Sequence, residues 1–139
     1  MSDTGGRGWL GPVLLAGLSY LAVGFLSAAL AGAAQSTRMR FVWRLSAVVV
    51  SAVVLGAHII YEQLRRQSPA WPLAWHAAAG AAVGGFGLAL AANLHDLASA
   101  AGYRPRMLVA LVAWPLLTAA PAFLVALGAA VGLGKQRAR

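Results

Sequence analysis

Four long stretches without a charged side chain constrain this chain more than any other feature. A run of roughly 20 apolar residues is long enough to cross the hydrocarbon core of a bilayer as a helix. With the histidines counted as neutral, the charge-free stretches are 8–37, 45–61, 67–95 and 107–134. We therefore predict an all-α fold, an integral membrane four-helix bundle that runs up-down-up-down with its termini on the same side. Within a single transmembrane domain of residues 1–139, the expected spans are about 9–34, 41–61, 71–94 and 107–133.

The composition agrees with a membrane protein and excludes an ordinary soluble domain. Hydrophobic residues make up 60% of the chain, charged residues make up 10%, and the mean hydropathy is +0.74. In soluble domains roughly a quarter of the residues are charged. This chain has too few charged residues to cover a water-exposed surface. Alanine, glycine, valine and arginine are abundant while lysine occurs once, a bias typical of GC-rich bacterial genomes. We therefore expect a multi-pass protein of the bacterial inner membrane.

The net charge of +8 comes from eleven basic and three acidic residues. In a soluble protein this balance would indicate nucleic-acid binding. Here the arginines fall in the predicted loops and tails, where they meet lipid phosphates and interfacial water. We therefore expect the lipid bilayer as a partner and no nucleic acid. The chain contains no cysteine, which excludes disulfides, thiolate chemistry and iron–sulfur clusters.

Small residues indicate where the helices should pack closely. Lipid is as apolar as leucine, so membrane helices associate through small residues that let their backbones approach. Gly80, Gly84 and Gly87 share one face of span three, and Gly80 and Gly84 form a GxxxG pattern. We predict that this face contacts another helix. Span four carries a second stripe that we also expect to form a packed seam: Trp114, Thr118, Pro121, Val125, Gly128 and Gly132.

Three ionisable residues are the candidate functional groups, because charge at membrane depth is costly and usually serves a purpose. His58 lies one helical turn before Glu62, so the two side chains share a helix face. His76 lies about a turn and a half into span three. Spans two and three are joined by a short loop and run antiparallel, so both histidines should lie on one side of the membrane at similar depth.

Several kinds of site fit this arrangement. His58 and His76 could be the two axial ligands of a b-type haem, which needs no cysteine. With Glu62 they could instead form a three-ligand site for a divalent metal, or a proton relay through imidazole. Each histidine could also simply bond a loop carbonyl or a lipid head group. The chain offers no paired carboxylates and no catalytic triad, so we assign no catalytic residue and expect a protein that is not an enzyme.

Four segments along residues 37–121 follow a recognisable order of features. They are TRMRFVWRLSAVVV, LGAHIIYEQ, AWHAAAGAA and VAWPLLTAAP. This order resembles a family of small bacterial four-helix membrane proteins linked to haem–copper oxidase assembly. The resemblance implies a respiratory accessory role, and it matches His58 and His76 to the family's histidines near the end of span two and early in span three. The family's further histidines, ahead of spans two and four, have no counterpart in this chain.

The sequence therefore predicts a small, non-catalytic accessory or assembly subunit of a larger membrane complex, respiratory and haem-associated if the resemblance holds. Its partners would be other membrane subunits or further copies of itself. The alternative is a homo-oligomeric transporter or channel for a small solute or an ion, which would need a polar path through the bundle.

Overall fold

The computed structural model describes residues 8–98 and 106–137, without the side chains of 106 and 134–137. These parts of the chain form four α-helices, each long and apolar enough to cross a membrane. The predicted all-α class with four membrane-length helices is confirmed. The position of both termini on one side of a membrane stays a prediction. The helices are α1 (Leu10–Ala33), α2 (Thr37–Tyr61), α3 (Ala70–Ala98) and α4 (Arg106–Arg137), with a short π-helix (Glu62–Arg66) that extends α2.

The helices extend beyond several of the predicted span ends. α2 begins four residues before the predicted start at 41, because the Ser36 side chain caps it by accepting a hydrogen bond from the Met39 backbone N–H at 3.2 Å. The basic residues before the predicted span are therefore helical. α3 continues to Ala98 and α4 to Arg137, beyond the predicted ends at 94 and 133.

α3 is the central helix of the bundle and packs against both α1 and α4. Nearly half of its most apolar stretch is buried, compared with 17% for α1 and 6% for α4. Its buried residues are almost all alanine and glycine, which lets two neighbouring backbones approach it at once. These buried residues are Leu73, Ala74, Ala77, Ala78, Gly80, Ala81, Gly84, Gly85, Ala89 and Asn93.

The α1–α3 seam runs along the glycine face of α3. A Cβ added at Gly80 would lie 3.2 Å from the Cβ of Ala16, and one at Gly84 would lie 2.5 Å from the Cβ of Tyr20. A Cβ at Gly87 would lie 2.7 Å from the Leu21 side chain. Every one of these contacts is to α1. Because the contact positions rise together along both helices, α1 and α3 run in the same direction.

α4 lies against the other side of α3 and runs in the opposite direction. Near the start of α4, the Asn93 amide donates to the Met107 carbonyl oxygen at 2.9 Å. Midway, the Thr118 hydroxyl donates across the seam to the Ala81 carbonyl oxygen at 3.1 Å. A Cβ added at Gly85 would lie 2.5 Å from the Thr118 hydroxyl oxygen. This side of α3 is therefore joined to α4 by polar contacts as well as by small residues.

The lower part of the predicted α4 stripe is not a packed seam, and that prediction was wrong. Gly128 and Gly132 are exposed, and a Cβ added at either would meet nothing within 4 Å. α3 and its neighbours instead bury Ala122, Ala126 and Ala130. Two residues along a helix correspond to a rotation of about 200°. The buried alanines therefore turn the glycines to the outside of the bundle.

α2 joins the bundle unequally along its length. Its last turns enter a cluster with α3 and α4, in which Ile59 packs with Leu73, Ala77 and Ala126. Most of its other helix contacts are with α1. The end of α2 thus meets the start of α3 beside α1, and the ionisable residues lie at this meeting point.

Candidate functional site

The connection between α2 and α3 positions the site. After Tyr61 the helix widens into the π-helical turn, which ends at Gln67 in the left-handed conformation with φ of 51°. The Gln67 backbone N–H donates to the Glu62 carbonyl oxygen, and only Ser68 and Pro69 remain before α3. π-helical turns occur frequently at functional sites. This short connection places the Glu62 side chain against residues from both helices.

Glu62 is completely buried, and three side chains contact its carboxylate. The Ser68 hydroxyl donates to Oε2 at 2.7 Å, and His76 Nδ1 lies 3.4 Å from the same oxygen. Arg66 Nη1 lies 3.4 Å from Oε1. A carboxylate can be buried only when other groups replace its water, and a nearby cation balances its charge. Glu62 therefore has both its hydrogen-bond partners and its counter-ion within the protein.

The cluster also attaches the start of α1 to this end of the bundle. The Trp9 indole stacks on the His76 ring, with centroids 5.2 Å apart and planes 4° apart. Arg66 Nη1 donates to the Gly8 carbonyl oxygen at 3.1 Å. Glu62 and its contacts therefore connect the segment before α1, the end of α2 and the start of α3.

His58, the second predicted ligand, lies apart from these contacts. Its side chain is buried, and its Nε2 atom has no hydrogen-bond partner among the described residues. The residue borders a mostly apolar cavity of about 510 Å³ between α1 and α2. The other lining residues are Pro12, Leu15, Ala16, Ser19, Val54, Ala57 and Tyr61.

The structure thus joins two of the three predicted site residues. The Glu62 and His76 side chains are in contact. The His58 carbonyl oxygen accepts from the Glu62 backbone N–H, but no hydrogen bond joins the His58 side chain to either residue. In the described part of the chain, no group of three or more His, Cys, Asp or Glu residues is arranged to hold a metal ion. Axial ligation of one haem would require both histidines to border a single cavity, and His76 does not line the cavity beside His58. The haem and proton-relay hypotheses stay predictions.

Three members of the cluster were missed from the sequence. Arg66 follows Glu62 by four residues, a spacing that pairs opposite charges on a helix and could have identified it. Ser68 becomes a partner only because the chain turns back at Gln67. Trp9 meets His76 only because of how α1 rotates against α3, for which the sequence contains no local signal.

Comparison with known proteins adds no relative, since no family model, curated protein or solved structure matches the chain significantly. Its functional interpretation therefore depends on its own residues. The observed site is a buried carboxylate whose partners already belong to the protein. Such a cluster can hold a proton or fix three segments together. Both carboxylate oxygens already contact protein groups, so few of their lone pairs remain to bind a metal ion or another ligand.

Proposed function

We propose that this protein is a non-catalytic accessory or assembly subunit of a larger membrane complex. The observation that carries the proposal is the outward glycine pair of α4, which we call the outer glycine strip: Gly128 and Gly132. Both glycines are exposed, and open space surrounds the position of each missing side chain. GxxxG patterns in membrane helices let a second helix approach closely. The strip is suited to a helix that belongs to another polypeptide.

The arrangement of the polar side chains supports this choice over a transporter or a channel. The Ser19 hydroxyl donates to the Leu15 carbonyl oxygen at 2.8 Å, and the Ser46 hydroxyl donates to the Trp43 carbonyl oxygen at 2.8 Å. Asn93 and Thr118 likewise donate to backbone carbonyl oxygens. These hydroxyl and amide groups donate to backbone carbonyl oxygens of the protein, which leaves them fewer hydrogen bonds to offer a solute.

The resemblance to oxidase-assembly proteins extends the proposal to a respiratory, haem-associated complex of a bacterial inner membrane. In that setting the Glu62 cluster serves to hold the end of the bundle in place while α4 contacts the partner. An absorbance spectrum of the isolated complex tests the haem part, because bis-imidazole b-type haem produces a Soret band. Loss of that band in H58A or H76A would assign it to this chain, whereas an unchanged band would assign the haem to a partner.

Site-specific photo-crosslinking in native membranes tests the partner surface. A photoreactive amino acid at Leu124, an exposed residue one helical turn before Gly128, leaves both glycines in place and should form an adduct with one defined larger membrane protein. The matched control is Leu14, an exposed residue of α1, which should not form that adduct. Adducts containing only further copies of this chain would favour the homo-oligomeric transporter or channel. Adducts that are the same at both positions would contradict a specific surface on α4.

A further inference from the structure

A second cavity, of about 540 Å³, lies between the end of α1 and the start of α2. We call it the arginine cleft. Its α1 wall consists only of small residues, whereas α2 contributes two arginines. The lining residues are Gly24, Ser27, Ala28, Ala31, Gly32, Arg40, Arg44 and Ala47. The cleft is at the opposite end of α2 from Glu62.

The two arginines are concentrated on one face of α2. Arg40 and Arg44 are four residues apart, so their side chains project in the same direction. The Arg40 Nε–H donates to the Ala34 carbonyl oxygen at 3.1 Å, which fixes that side chain over the turn between the helices. Neither arginine forms an ion pair with any residue that the structure describes. The Glu62 carboxylate is too distant to pair with them, because Glu62 lies about 27 Å from Arg44 along the helix at 1.5 Å per residue.

The cleft extends from the helix ends into the apolar part of the bundle. Arg44 lies about 10 Å from the first residue of α2, measured at 1.5 Å per residue. Gly24 lies about 14 Å before the end of α1 on the same scale. A molecule that fills the cleft must therefore present a charged group near the helix ends and an apolar part farther in. Because Ala28 and Gly32 are exposed, it can enter sideways from the bilayer.

We propose that the arginine cleft binds one anionic phospholipid. The lipid phosphate lies on Arg40 and Arg44, because guanidinium groups bind phosphate oxygens through charge-assisted hydrogen bonds. The upper part of one acyl chain lies along the small-residue wall of α1. A soluble phosphate would satisfy the arginines but would leave the space along the apolar wall unfilled, so the cleft favours the lipid.

Native mass spectrometry of the full-length protein in detergent tests the proposal, with phosphatidylglycerol and phosphatidylcholine as the added lipids. We expect one phosphatidylglycerol to remain bound where phosphatidylcholine does not. Arg44→Gln should weaken the affinity for phosphatidylglycerol about fivefold, since one basic residue near a membrane surface contributes about 1 kcal/mol to binding anionic lipid. The matched control is Arg38→Gln, which removes the same charge from the same helix outside the cleft and should leave the affinity unchanged.

A second variant tests the shape of the cleft without changing its charge. A Cβ at Gly32 would meet nothing within 4 Å, so Gly32→Leu fills the cleft without disturbing the helix contacts. It should prevent phosphatidylglycerol retention. Gly56→Leu is the control, because Gly56 is equally unhindered but lies outside the cleft. Circular dichroism of each variant verifies that the helices remain folded.

Three results would overturn the proposal. Equal retention of the two lipids would show that the arginines do not select an anionic head group. An equal loss of phosphatidylglycerol binding in Arg38→Gln and Arg44→Gln would mean that general surface charge, and not the cleft, holds the lipid. Displacement of the bound lipid by millimolar inorganic phosphate, with Gly32→Leu still retaining phosphatidylglycerol, would identify a site for a soluble anion.

Discussion

Two glycine pairs with the same spacing have opposite surroundings in this molecule: the inner pair is Gly80 and Gly84 of α3, and the outer pair is Gly128 and Gly132 of α4. At Gly84 of α3, an added Cβ would lie 2.5 Å from the Tyr20 Cβ and 3.0 Å from the Gly17 carbonyl oxygen. At Gly132 of α4 the same atom would meet nothing within 4 Å. Glycine lowers helix propensity by about 1 kcal/mol relative to alanine. The inner pair offsets that cost by packing on α1, whereas the outer pair gains nothing from this chain alone.

The difference shows that a GxxxG pattern specifies a flat surface but does not identify its partner. α3 has helices on two sides, so its glycine face and its alanine face are both used. α4 has one main neighbour, α3, and it turns its alanines toward that neighbour. The glycines of α4 are then left for lipid or for another protein. This comparison can be tested by filling each surface and by weakening the other contacts of the bundle.

The largest effect is expected at the inner pair. Gly84→Leu would place side-chain atoms inside the space occupied by Tyr20 and by the α1 backbone, so α1 would have to separate from α3. Overpacking typically costs 1–3 kcal/mol, and we expect about 3 kcal/mol or more here because backbone must move. Thermal unfolding in detergent, followed by circular dichroism, should show a clearly lower Tm or failure to fold. A wild-type Tm would contradict the tight seam.

Removing the buried carboxylate should have the next largest effect. Glu62→Ala leaves Arg66, Ser68 and His76 without their shared acceptor, and we expect a loss of about 2 kcal/mol. This variant shows whether the polar cluster helps the glycine seam to hold α1 on α3. Glu62→Gln is the control, because its amide oxygen can still accept from Ser68, and its loss should be smaller. Equal stability of Glu62→Ala and wild type would exclude a structural role for the cluster.

A smaller effect is expected at the α3–α4 seam. Asn93→Ala removes the donors to the Ala89 and Met107 carbonyl oxygens, which lie 2.8 and 2.9 Å away. Interhelical hydrogen bonds in membranes contribute about 0.6–2 kcal/mol, so we expect a loss of about 1 kcal/mol. Ser46→Ala is the control, because its hydroxyl donates only within α2. The prediction fails if both variants unfold at the wild-type temperature.

Much of the fold could be predicted from the sequence, because its signals are local. The absence of charge over long runs determines which segments enter lipid, and the glycine spacing in α3 shows which face can be approached closely. The contact between Glu62 and His76 follows from their depth and the short loop between them. The stack of Trp9 on His76 and the outward position of Gly128 could not be predicted. Both depend on how each helix rotates about its axis, and several rotations fit the same apolar pattern.

The smallest effect on stability is expected at the outer glycine strip. Gly132→Leu adds a side chain where nothing lies within 4 Å. The free energy of unfolding should therefore change by no more than about 0.5 kcal/mol, as is typical of surface substitutions, and the Tm in detergent should stay close to that of wild type. The same thermal assay used for Gly84→Leu makes the two positions directly comparable. In native membranes, however, Gly132→Leu should reduce the crosslink from position 124 to the partner, since the flat approach surface is lost. A large fall in Tm would mean that the glycines of α4 pack within the chain after all. An unchanged Tm with an unchanged crosslink would mean that the partner lies beside α4 without using the flat surface of the two glycines.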